Sequence, residues 1–159
     1  GGARLAPKPA KGAAATRVGA VDGVDAGDPG VGAKSVGLTN GDGADGLVEM
    51  SGSGAAINLG LSVVRNGGRA ALLGLPADNV SLNLAEHIIF KGLTVLGING
   101  RNMFETWYQT QAMVVAGRID LTSIITHVMP FRDFAECFEL LKDGKAAKIV
   151  MNISELGAQ

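Results

Sequence analysis

Apolar and polar positions fall into blocks along this chain, and the clearest block runs from Gly67 to Gly100. Two short apolar runs, Ala70 to Leu75 and Leu93 to Ile98, each begin just after glycine and end at glycine. Between them lie a polar turn, Pro76 to Asn79, and a brief helical pattern, Leu84 to Phe90. A strand, a crossover and a second strand make the unit of a parallel sheet. Upstream, Leu47 to Met50 predicts a third short strand, stopped by Ser51-Gly52-Ser53-Gly54. Ser53 is placed to cap a helix with Ala56, Leu59 and Val63 on one face and Ile57, Leu61 and Val64 on another. Asn66-Gly67-Gly68 is expected to end that helix through the left-handed backbone that glycine permits.

Downstream of Gly100 the pattern becomes helical. Asn102 and Glu105 have the spacing of a capping box, and Phe104, Trp107, Tyr108, Ala112 and Val115 form an apolar stripe that stops at Gly117. Ile124 to Val128 reads as extended. Pro130 then opens a last helix, with Phe131, Phe134, Phe138 and Leu141 on one face and Gly144 at its end. Lys148 to Ile153 is the final strand. The first 45 residues differ: fourteen of the 24 glycines fall within the first 54 positions. Backbone so rich in glycine gains little from packing. Loose structure is expected there, with a helical stretch at Lys11 to Val18 and a strand at Val21 to Val24 as its best elements. The divisions that follow are 1–45, a glycine- and alanine-rich front; 46–117, a sheet core; and 118–159, a helix–strand return segment.

Composition narrows the function. A length of 159 residues suits one domain, and a net charge of −1 gives no general pull toward nucleic acid or anionic membrane. No apolar run approaches the ~20 residues of a membrane span. One cysteine, Cys137, rules out an internal disulfide, and a cytoplasmic setting is expected. The chain contains neither a CxxC pair nor an HExxH run, so no zinc motif is in view. Cys137 reads as a helix filler, His87 as a surface or boundary residue and His127 as structural.

Parallel strands end at one edge of their sheet, where ligands of open α/β folds bind. Here that edge collects Met50-Ser51-Gly52, Gly74-Leu75-Pro76 and Ile98-Asn99-Gly100. Glycines at such ends either let a ligand approach the backbone or simply turn the chain. The dinucleotide fingerprint GxGxxG is not met, because Gly52-Ser53-Gly54 is followed by Ile57 where the third glycine would stand.

Several segments occur in a fixed order from Gly41 to Ile153: GDGADGLVEMSG, GGRAALLGLP, FKGLTVLGINGRNMFETWYQ and ITHVMPFRDFAECFELLKDGKAAKIVMNI. Together they resemble the second half of the zinc-dependent medium-chain dehydrogenases, and within them the branch that oxidises the 3-hydroxyl of L-threonine to 2-amino-3-oxobutanoate. The resemblance implies an α/β, Rossmann-like parallel sheet, present in part, with a C-terminal helix–strand return. It implies NAD as cofactor, contacted near its nicotinamide by Leu73, Gly74 and Leu75 and by Ile98 and Asn99. The family more often carries tyrosine at the position of Asn99. It also implies a phosphate contact from Lys148, for which a solvated strand-end lysine is the other reading. Zinc belongs to the family, but its Cys, His and Glu ligands come from a domain that these residues do not match. The isolated chain is therefore expected to be catalytically inactive. Leu5-Ala6-Pro7-Lys8-Pro9 does not read as the family's second strand ending in an acid. A small alcohol such as L-threonine is the implied substrate, and a homo-oligomer, a tetramer by resemblance, is the implied assembly. The alternatives are a non-catalytic interaction fragment or part of a related polyol or alcohol dehydrogenase.

Overall fold

The computed structural model describes residues 3–6, 19–20, 22–25 and 27–154. The predicted helix at Lys11 to Val18 lies outside them. The sheet that carries the argument has three parallel strands, β3 (Ala44–Glu49), β4 (Val64–Leu72) and β5 (Thr94–Gly97), paired in that order. Its register aligns Glu49 with Leu72 and Leu72 with Gly97, so the three strands end on one row. Helix α2 (Gly54–Val63) makes the first crossover, and a single π-helical turn (Ala85–Ile89) lies in the second.

The predicted strand–crossover–strand unit is present, and β3, β4 and the second crossover supply apolar side chains that pack on α2. Ile57 and Leu61 of α2 are buried against Ala70 of β4, with Leu47, Val80, Leu82, Ile88 and Leu93 packed around them. Burial of this kind stabilises by roughly 25 cal/mol per Å² of apolar surface removed from water. Ser53 caps α2 as predicted, its hydroxyl accepting from the Ala56 amide at 3.4 Å. Asn58 then ties the helix to the second crossover, donating to the carbonyls of Gly54 and Ser81 at 3.0 Å each.

The end of α2 departs from expectation. The helix stops at Val63, and Asn66-Gly67-Gly68 lies inside β4. Lys91, 28 residues beyond the helix end, meets the carbonyls there. Its ammonium donates to the carbonyls of Leu61 (3.0 Å), Ser62 and Val64 (2.8 Å), satisfying acceptors that a helix terminus leaves open. The Lys91 carbonyl in turn accepts from the amide of Gly67, which sits at φ +70°.

The described residues at the front of the chain are more regular than its glycine content suggested. β1 (Ala3–Ala6) pairs in parallel with β2 (Asp22–Asp25), and α1 (Val31–Gly37) follows. The segment around Leu5 and Ala6 is therefore a strand after all, a correction to the sequence reading. A four-residue strand needs only a paired neighbour, which composition does not reveal.

After β5 come α3 (Glu105–Val115), β6 (His127–Pro130), α4 (Phe134–Lys142) and β7 (Ile149–Asn152), with β6 and β7 parallel to each other. A short 3-10 turn at Thr122–Ile124 takes the start of the extended stretch expected from Ile124 to Val128, the strand runs on to Pro130, and a second turn, Phe131–Asp133, leads into α4. The capping box does not form. Phe104 holds the cap position of α3, while the Asn102 amide donates to the Glu105 carboxylate at 3.2 Å instead of receiving a backbone amide. Neither apolar stripe is covered: Trp107, Tyr108 and Val115 of α3 and Phe134 and Phe138 of α4 are exposed, and Cys137 is the side chain α4 buries.

Candidate functional site

The row formed by Glu49, Leu72 and Gly97 is where the three strands release their loops. Hydrogen bonds hold those loops side by side. The amides of Leu73 and Gly74 donate to the Glu49 carbonyl at 2.8 and 3.2 Å, and the amide of Ile98 donates to the Leu72 carbonyl at 2.9 Å. Leu73, Gly74, Leu75, Ile98 and Asn99 are thereby brought to one edge. Lys148 is not among them: it is exposed, precedes β7, and its carbonyl accepts from the amide of Thr126 in the β6–β7 sheet.

Two glycines set the shape of this edge. A methyl group on Gly52, which sits at φ +70°, would lie 2.4 Å from the carbonyl oxygen of Leu75. One on Gly74 would lie 2.1 Å from the amide nitrogen of Gly52 and 2.7 Å from a Glu49 carboxylate oxygen. The loops after β3 and β4 therefore touch backbone to backbone. Around them Met50, Leu75 and Ile98 stand exposed, Leu75 at 88%. An apolar rim beside closely packed backbone is the kind of surface on which a flat ring can rest. What sequence reading missed is Glu49.

Glu49 is 4% exposed, the one buried acid among the described residues. One carboxylate oxygen accepts from the Ser51 hydroxyl and from the Ser51 amide at 2.8 Å, and the Gly52 amide reaches both oxygens at 3.2 Å. Burial pushes the carboxyl up, but these hydrogen bonds together outweigh it and hold the group below its ordinary 4.5. A carboxyl so depressed contributes stability that is complete above its unfolded value and is lost as pH falls through the folded value. Urea denaturation at stepped acid pH is expected to show that loss in the parent chain and to show it diminished in Glu49→Gln. The only signal available in sequence was an acid closing an otherwise apolar strand.

The other candidates carry less. A concavity of about 860 Å³ lies at the opposite edge, where β3 and β4 begin. There Arg65 pairs with Asp45 at 2.7 Å, and Lys91 is engaged by the carbonyls ending α2. His87 is half-buried, with its Nδ1 enclosed and unpartnered. His127 pairs with the Thr126 hydroxyl at 3.0 Å. Among the described residues no three His, Cys, Asp or Glu side chains come together as a metal site, so the zinc of the family finds no donor set there.

A parallel sheet with its loops gathered at the carboxyl edge defines a nucleotide-type α/β domain. The model of a family described as zinc-binding dehydrogenase matches residues 4–116, and this chain belongs to that family. Curated relatives sharpen the comparison. The chain is 46% identical over 114 residues to L-threonine 3-dehydrogenase of Bacillus velezensis, covering 72% of this chain and 33% of the relative. It is 40% identical over 119 residues to L-threonine 3-dehydrogenase of Proteus mirabilis, covering 75% and 34%. The chain thus spans about one third of the length of these relatives. Among solved structures, the alcohol dehydrogenase TADH of Thermus sp. ATN1 superposes with a TM-score of 0.84 at 24% identity, over 94% of this chain and 43% of that one. The 2R,3R-butanediol dehydrogenase of Bacillus subtilis gives 0.81 at 21%, over 95% and 43%. These likenesses establish a Rossmann-type dehydrogenase fold.

Proposed function

We propose that this chain is the NAD-binding portion of an oxidoreductase like L-threonine 3-dehydrogenase, with Leu73-Gly74-Leu75 and Ile98-Asn99 forming the wall beside the nicotinamide. One observation carries the reading: adjacent parallel strands deliver both segments to one edge, where the loops meet closely at Gly52 and Gly74 and apolar side chains stand exposed beside them. When bound, NAD would supply the hydride acceptor for oxidation of a small alcohol such as L-threonine. The residues named here would hold and orient its ring. Leu75 and Ile98 would exclude water from one face, and the polar Asn99 would stand at the rim in place of the family's more frequent tyrosine. Lys148, in the neighbouring sheet, is assigned the more distant phosphate contact by family resemblance. No helix among the described residues is long and apolar enough to cross a membrane, and a cytoplasmic, oligomeric enzyme is part of the same proposal.

Calorimetric titration with NAD tests it. Saturable one-to-one binding is the expected result. No heat at any NAD concentration, together with a mass that rises with protein concentration, would favour the second reading, a subunit-contact fragment. That reading draws on β5, an edge strand exposed along all four of its residues.

A further inference from the structure

We infer that Glu49 is the positioning residue of this edge: its carboxylate fixes the loop after β3 against the loop after β4, and so sets where a bound ring can rest. The inference deepens the NAD-binding reading and depends on it for the identity of the ligand alone. Three features of the structure converge on it. Glu49 closes β3 in register with Leu72, so its backbone and side chain stand at the point where both loops leave the sheet. Its carbonyl takes the Leu73 and Gly74 amides of the second loop. Its carboxylate takes the Ser51 and Gly52 amides and the Ser51 hydroxyl of the first.

One residue therefore binds both loops through separate acceptors. The glycine pair makes the arrangement tight. Gly74 approaches the Glu49 carboxylate and the Gly52 amide so closely that no side-chain atom fits between them. A buried carboxylate that accepts several amides is costly to replace, because every donor it served is left without a partner. No other buried acid among the described residues can take its place. The consequence lies in geometry more than in fold. The hydrophobic centre at Ile57, Leu61 and Ala70 lies on α2 and within β4, away from the loops that Glu49 ties.

The test is residue-resolved amide exchange on the 159-residue chain, with NAD titration beside it. In Glu49→Gln the amides of Ser51 and Gly52, which donate to the carboxylate, are expected to exchange about tenfold faster or more, as hydrogen bonds to a charged group are lost. The amides of Leu73 and Gly74 keep the Glu49 carbonyl as acceptor and are expected to follow with a smaller acceleration, as the first loop loosens against the second. Those of Ala70 and Ala71 should keep their protection. Ser51→Ala, which removes one donor and spares the carboxylate, is expected to give a smaller change at the same amides. NAD affinity should fall in the same order. Unchanged exchange at the four amides in both variants overturns the inference. So does equal acceleration throughout the sheet, which would mark Glu49 as a general stabilising residue. If the parent chain fails to bind NAD while the local exchange effect persists, the proposed cofactor falls and the positioning role of Glu49 stands.

Discussion

Gly74→Ala is expected to abolish NAD binding and to lower stability by about 2–3 kcal/mol, since a methyl group forced into close-packed surroundings typically costs this much. The obstacle is backbone: the added carbon would lie 2.1 Å from the Gly52 amide nitrogen and 2.8 Å from its α-carbon. Flexible side chains could turn aside, but these atoms belong to the turn that leads into the Ser53 cap of α2. Relief must therefore come from moving the two loops apart, which widens the edge where the ring would lie. Calorimetry for binding and urea denaturation for stability separate the two effects. A variant of parental affinity would show that the loops are not the binding surface.

Lys91→Met is expected to destabilise the chain by about 3 kcal/mol, because three carbonyls at the end of α2 lose a charged donor at once. The methionine keeps most of the apolar stem, so the loss reports the ammonium and not the packing. Burial pushes the Lys91 ammonium down from its ordinary value, the mark of a charge held away from water. Urea midpoints of parent and variant measure the difference. A change within about 0.5 kcal/mol, the usual range for surface substitutions, would show that water replaces the lysine at the helix end.

These two residues also mark the limits of what the sequence could disclose. The strands β3 and β5 and the last residues of β4 were legible because each is a short apolar run close to glycine, a pattern set by local chain chemistry. The Ser53 cap was legible for the same reason. The end of α2 was not, since its carbonyls are satisfied by a side chain from another part of the chain, and Asn66-Gly67-Gly68 offered a plausible local alternative. At Asn102 and Glu105 the right residue types stood at the right spacing, yet their side chains bond to each other, and Phe104 takes the cap position of a helix that starts at Glu105. The stripes of α3 and α4 show a further limit. Periodicity identifies an apolar face, but only tertiary structure says whether anything covers it. Glu49 was passed over because a lone acid at a strand end has many ordinary uses. Its meaning comes from amides on two loops that only the folded sheet brings together.

The sulfur of Cys137 offers a consequence of a different kind. It is the one thiol in the chain, 1% exposed, with the Met129 sulfur 3.6 Å away in β6. A reagent that modifies thiols can reach it only when α4 lifts from β6. The rate of its modification therefore acts as a clock for the opening of the C-terminal helix–strand unit, read without any added label. Since the proposed nicotinamide wall lies on β3, β4 and β5, that clock runs on a part of the molecule that the proposed ligand would reach through Lys148 alone. Comparing its rate with and without NAD would show whether the two parts of the chain open as one body or as two.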